Sequence, residues 1–224
     1  MIQEEKLIAE QIDLAKRIKI TELEMPVRYV AGIDTAYWME NDIERCCCAC
    51  ILYDIVQDKI IEKVNSIGIV DFPYISGFLS YRESEIGIKT LNKLKQKPDV
   101  AMIDGNGMLH PRKAGEAVKI GVDLDVPSIG VAKKYCKIDD VNFEMPQDRK
   151  GAYTDIYVNG ELLGRAVRTR EGVKPAFVSV GNKITLEEAT ELVLKLSTKE
   201  SYIPIPTRQA DLETHILRRA LKQK

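Results

Sequence analysis

The spacing of apolar and polar positions changes period several times along the chain, and each change marks an element. Leu7, Ile8, Leu14, Ala15 and Ile18 recur at helical spacing and predict an amphipathic opening helix. After Pro26 the pattern becomes continuous and apolar, and Val27 to Ile33 reads as a buried strand ending on Asp34. Arg45 to Asp54 and Lys59 to Ile67 read as two further strands, joined by a short turn near Gln57-Asp58. These three predict an antiparallel meander. A loop from Val70 to Gly77 carries Phe72-Pro73-Tyr74, and a helix follows from about Leu79 to Lys95 until Pro98. Val100 to Ile103 is a second apolar run that stops on an aspartate, Asp104, with Gly105 and Gly107 directly after it. Arg112 to Leu124 has helical spacing, and Val126 to Val131 is a short buried strand. Tyr153 to Val158 and Leu162 to Thr169, split by Asn159-Gly160, predict a hairpin. Phe177 to Val180 is another strand, Thr185 to Glu188 has capping-box form, and a last helix begins near Thr207 after Pro204 and Pro206. The polar stretch Lys137 to Lys150 reads as a loop.

A meander followed by strand-helix-strand units, which favour parallel pairing, predicts an α/β protein. Its central mixed sheet is flanked by helices, the arrangement of the ribonuclease H-like fold. The length of 224 residues suits a single domain over 1–224. A hydrophobic share of 45% and a charged share of 30% describe a globular chain. No apolar run reaches membrane-spanning length, and Glu4, Glu5 and Glu10 near the N-terminus do not fit a secretory signal, so a cytoplasmic location away from membranes is expected. Nothing demands an oligomer, and a monomer is expected. The net charge of −1 excludes a basic field over the whole molecule. Cations do bunch locally at Arg112-Lys113, Lys133-Lys134, Arg149-Lys150 and Arg165, Arg168, Arg170. Cys46, Cys47, Cys48 and Cys50 lie in a β-like run, where residues three apart face opposite sides. Reduced core thiols are therefore expected there, and zinc is not.

The two apolar strands that end on acids carry the chemistry. If they are neighbours, Asp34 and Asp104 converge, and like charges held close call for a divalent cation. Either residue alone would be an ordinary turn former. A metal-assisted phosphodiesterase needs several such carboxylates, and Glu83 and Asp211 are the further candidates. Ser80-Tyr81-Arg82-Glu83 also has capping-box form, and Asp211, one turn past Thr207, would serve equally as a first-turn acid. His110, before Pro111 at an expected helix entrance, either contacts phosphate or caps the helix. Lys133 either neutralises a phosphate oxygen or is a surface residue. Tyr74 is either a core anchor for its loop or an exposed ring that stacks on a base.

Five ordered blocks then resemble one family. They are Val30 to Asp34, Pro73 to Glu83, Asp104-Gly105-Asn106-Gly107 with His110-Pro111-Arg112-Lys113, Pro127 to Lys134, and Pro206 to Asp211. The chain resembles endonuclease V, the inosine-specific nuclease family, from about residue 10 to Asp211. The resemblance implies the same ribonuclease H-like fold. It makes Asp34, Glu83 and Asp104 metal-binding catalytic acids, with Asp211 as a further ligand and Lys133 beside the scissile phosphate. It places Tyr74 in a strand-separating wedge loop, Gly77, Leu79, Gly105 and Gly115 around a pocket for a flipped base, and His110 near the nucleic-acid backbone. It implies Mg²⁺, with Mn²⁺ as substitute, and cleavage of the second phosphodiester bond 3′ to the lesion in DNA repair. Inosine-containing RNA is the alternative substrate, and a nucleic-acid-binding homologue without catalysis the further alternative. Two positions depart from the family pattern. Ser76 stands where the wedge usually ends in proline, and Asn106 where His or Gln is common.

Overall fold

The structure, a computed structural model, describes residues 3–138 and 141–222. β1 (Tyr29–Glu40), β2 (Ile43–Asp54) and β3 (Lys59–Ile69) form the antiparallel meander. The first turn is Asn41-Asp42, with φ of 49° and 62°, the left-handed pair that a tight hairpin requires. β4 (Val100–Ile103) joins β1 in parallel, and β5 (Ser128–Ala132) joins β4 the same way. β6 (Tyr153–Val158) and β7 (Glu161–Val167) form the hairpin about Asn159-Gly160, and β8 (Ala176–Asn182) lies between β7 and β5. The resulting sheet has eight strands in the order β3-β2-β1-β4-β5-β8-β7-β6.

The helices are α1 (Glu4–Lys16), α2 (Leu79–Leu91), α3 (Glu116–Leu124), α4 (Leu186–Leu196) and α5 (Ile205–Lys222). α2 and α3 bury Ile86 and Ile120 against Ala31, Ile33, Cys48 and Ile103 on one face of the sheet. α5 covers the other face of the meander, where Leu217 and Leu221 meet Ala36, Trp38 and Cys47. α5 starts almost on the backbone of β1. A Cβ added at Gly32 would stand 2.0 Å from the carbonyl carbon of Pro206. α4 adds Ala189, Leu192, Val193 and Leu196 to the largest apolar cluster, and its Thr185–Glu188 capping box is formed.

Several boundaries differ from the sequence expectation. β1 does not end at Asp34 but runs on to Glu40, because β2 supplies an antiparallel partner along its whole length. α1 stops before Ile18, and α2 ends at Leu91 rather than Lys95. α3 starts at Glu116 and not at Arg112, since Lys113 at φ 53° holds the preceding residues in a turn. His110 is therefore not at a helix entrance. α5 starts at Ile205, which puts Pro206 in its first turn and Asp211 in its second, so Asp211 is not a first-turn acid. β8 runs antiparallel to β5. The clustered cysteines are buried, free thiols, with Cys47 facing α5 and Cys48 and Cys50 facing α2 and α3. Burial pushes their thiols up, that of Cys47 to about 11, which keeps them inert.

Candidate metal centre and its surroundings

The parallel register of β1 and β4 pairs Ile33 with Ile103, and the Asp104 N–H donates to the Ile33 carbonyl at 3.0 Å. Asp34, within β1, and Asp104, just past the end of β4, thus stand at the same level of the sheet. Even-numbered positions of β1 face α5, so Asp34 points at that helix, and the Thr214 hydroxyl lies 2.6 Å from its Oδ2. Asp211 projects from the same helix one turn earlier. Asp34, Asp104 and Asp211 each offer a carboxylate oxygen within 4.8 Å of the others. Lys133, just after β5, places Nζ 2.5 Å from Asp104 Oδ2 and 3.1 Å from Asp211 Oδ1. Lys134 is exposed. Arg208 Nη1 donates to Asp211 Oδ2 at 2.9 Å.

Burial pushes the Asp34 carboxyl up to about 7, with the Thr214 hydroxyl opposing and Asp104 and Asp211 adding to it. Burial also raises Asp104, although Lys133 pulls it back. Burial works against the Lys133 ammonium, yet Asp104 and Asp211 outweigh it and hold the amine above its usual range. The trio is thus short of positive charge. Hard oxygen donors gathered this closely, one of them unable to ionise fully at neutral pH, fit a hard divalent cation.

Glu83 lies on the other side of β1. Odd-numbered positions of β1 face α2, and Tyr37 there donates its hydroxyl to Glu83 Oε1 at 2.5 Å. Glu83 is 8% exposed and also hydrogen-bonds the Glu116 carboxyl of α3. Burial raises both acids, Glu116 most of all. Glu83 stands outside the 4.8 Å trio. Its capping box with Ser80 is not formed. Phe78 is the N-cap, and both Ser80 and Glu83 lie buried within the helix.

Tyr74 is 72% exposed at the tip of its loop. Gly77 has φ 78°, which favours glycine, and its carbonyl accepts from Gln11 Nε2 at 2.9 Å, Arg112 Nη2 at 2.8 Å and His110 Nε2 at 3.1 Å. His110 is buried, and its Nδ1 accepts from the backbone N–H of Arg112 and Ala114. Both ring nitrogens are therefore engaged by protein, and burial holds the imidazole down to about 4. Leu79 opens α2 half-buried, and Gly105 is buried against Glu116. At Gly115 a Cβ would stand 2.2 Å from the Asn106 carbonyl oxygen, so the chain passes itself too closely for any side chain. The Asn106 Oδ1 atom beside it is buried without a partner. Of the basic bunches, Arg165 is engaged by Asp155 and Glu187, and Arg168 by two backbone carbonyls.

Sequence reasoning missed Thr214, Tyr37 and Glu116. Thr214 lies three residues past Asp211, on the same helical face, and that spacing is a usable signal. Glu116 is an acid on the otherwise apolar side of α3, a conflict of pattern that also marks it.

An acid within β1, one just past the end of its parallel neighbour β4 and one from the helix lying on β1 make the acidic centre of a nuclease of the ribonuclease H-like class. A family model described as Endonuclease V matches residues 12–212. The chain belongs to the endonuclease V family. It is 44% identical to the Endonuclease V of Bacillus thuringiensis subsp. konkukian, over 98% of this chain and 96% of that protein. The crystal structure of the Bacillus subtilis protein superposes with a TM-score of 0.95 at 41% identity, covering 100% of this chain and 95% of that one. Ciona intestinalis Endonuclease V, solved in complex with a 24mer DNA containing an inosine followed by a ribo-adenosine, gives 0.81 at 27% identity, covering 99% and 98%. No helix among the described residues is long and apolar enough to cross a membrane.

Proposed function

We propose that this nuclease cuts inosine-containing DNA at the second phosphodiester bond 3′ to the lesion, with Mg²⁺ or Mn²⁺ as cofactor and residues 1–224 acting as one domain. The observation that carries the reading is the convergence of Asp34, Asp104 and Asp211 beside Lys133. Asp34, Asp104 and Asp211 would hold the metal, with Glu83, held by Tyr37 outside that trio, as the further acid. When bound, the metal supplies Lewis acidity toward phosphate and lowers the pKa of a bound water. Thr214 orients Asp34, and Arg208 orients Asp211. Lys133 offers its ammonium to a phosphate oxygen once the carboxylates have another counter-charge.

The flipped base would enter between the Gly77–Leu79 turn and the backbone at Gly105 and Gly115. Such a pocket separates hypoxanthine from adenine through the 6-carbonyl and the protonated ring nitrogen, since a mismatched buried polar group costs ~1–3 kcal/mol. His110 would support this pocket through Gly77, whose carbonyl its Nε2 meets at 3.1 Å, close to where the nucleic-acid backbone is expected. Tyr74, an exposed ring, would part the strands. Inosine-containing DNA as substrate is supported by the complex of the Ciona relative, a DNA in which a ribo-adenosine follows the inosine, and inosine-containing RNA remains the second reading.

The test is nicking of an oligonucleotide with one deoxyinosine, with the product end mapped and an RNA counterpart run in parallel. The expected outcome is a metal-dependent single cut that EDTA abolishes and Asp104→Ala eliminates. Metal-dependent nicking by the Asp104→Ala protein would overturn the assignment.

A further inference from the structure

Past Lys133, on the β8 side of the sheet, the surface opens into a groove of ≈ 660 Å³. Its floor is aromatic. Tyr135 and Phe177 sit with ring centroids 5.6 Å apart, and Phe143 backs both at 5.0 and 6.0 Å. Met145, 63% exposed, overhangs one side, and the exposed Lys134 and Lys174 stand on the rim. Lys133 lines this groove and also bridges Asp104 and Asp211, so groove and carboxylates share a wall.

The groove is built rather than accidental. Arg168 donates to the Pro146 carbonyl of one wall at 3.1 Å and to the Val173 carbonyl of the other. Asp148 accepts the Gly172 N–H at 2.8 Å and ties the same walls again. Among the lining side chains Lys133, Lys134, Arg168 and Lys174 carry positive charge, against Asp148 alone. An apolar floor with a cationic rim, continuous with a phosphodiester-cutting centre, has the chemistry of a stacked base with its phosphate.

The geometry points to a subsite for the first nucleotide 3′ to the cut bond, its base lying on Tyr135 and Phe177 under Met145 and its phosphate held by Lys134 and Lys174. This rests on the proposed cleavage reading, because that reading sends the strand past Lys133. The subsite anchors the strand downstream while the lesion is read upstream, so the two contacts together fix the distance between base and cut.

The experiment compares deoxyinosine oligonucleotides of one length whose first nucleotide 3′ to the cut bond is abasic with ones that carry a base there. It uses wild type, a Met145→Asp/Lys174→Glu double variant, and Lys59→Glu on β3 as a charge control. The base is expected to lower KM about tenfold in wild type and in the control, and to have little effect on KM in the double variant. In EDTA, 2-aminopurine placed as the first nucleotide 3′ to the cut should change emission on binding wild type and not the double variant. A double variant that keeps both the full KM ratio and the emission change overturns the subsite. If wild type cuts no inosine substrate, the cleavage reading fails, while the emission arm still decides the groove.

Discussion

Lys133 stands where two carboxylates would otherwise face each other, so its removal and theirs have different consequences. Replacing Asp104 with Asn takes a donor from the trio, and kcat on deoxyinosine DNA should fall by at least about 10²–10³-fold. Replacing Lys133 with Ala should lower kcat by about 10²-fold while leaving metal binding intact, as titration calorimetry with Mn²⁺ would read. His110 makes a pH prediction. Its folded value of about 4 lies below the unfolded ~6.5, so the stability it contributes is present above pH ~6.5 and is lost as pH falls toward 4, by at most about 3 kcal/mol. Urea midpoints measured across that window should drop in wild type and drop less steeply in His110→Asn. Asp34 and Asp104 could be read from sequence because an apolar run stopping on an acid breaks a pattern. Tyr37 could not, because it is an ordinary residue until its partner across space is known, and Thr214 stands out only by its spacing from Asp211.

The hairpins were readable at the level of elements, since Asn159-Gly160 and the alternation around it specify a turn locally. The capping box of α4 was readable for the same reason. The direction of β8 was not, because it depends on where the β6–β7 hairpin docks, and that is a long-range choice. The start of α3 misled because helical spacing begins at Arg112, whereas Gly115 must pass within backbone contact of Asn106 and forces a turn. Register, however, does the main work of the centre. α5 must lie directly on β1 for Asp211 to reach Asp34, and Gly32 permits that approach. Gly32→Ala should push the start of α5 off the sheet, cost about 3 kcal/mol in urea unfolding, and lower kcat more than it raises KM for the oligonucleotide. An unchanged kcat in a folded Gly32→Ala protein would detach the α5 contact from the geometry of the acids.

Across the whole molecule the acids oppose folding until a cation joins them. Asp34 titrates near 7 in the fold against a usual value near 3.8. A raised carboxylate contributes stability that is fully present below its unfolded value and is lost as pH rises through its folded one. Metal-free protein should therefore melt at a lower temperature at pH 8 than at pH 6, and Asp34→Asn should remove most of that difference. His110 works in the window below, so it does not mask the effect. Mn²⁺ requires the ionised carboxylate, so its stabilisation should be larger at pH 8 than at pH 6. At one hundred times its dissociation constant a bound ion contributes ~2.7 kcal/mol, a rise of about 5–10 °C in Tm for a chain of this size. Thermal melts at both pH values, with and without Mn²⁺, give the answer. An equal shift at both would mean that Asp34 is not a ligand, and a shift that survives in the Asp34→Asn/Asp104→Asn protein would place the ion elsewhere.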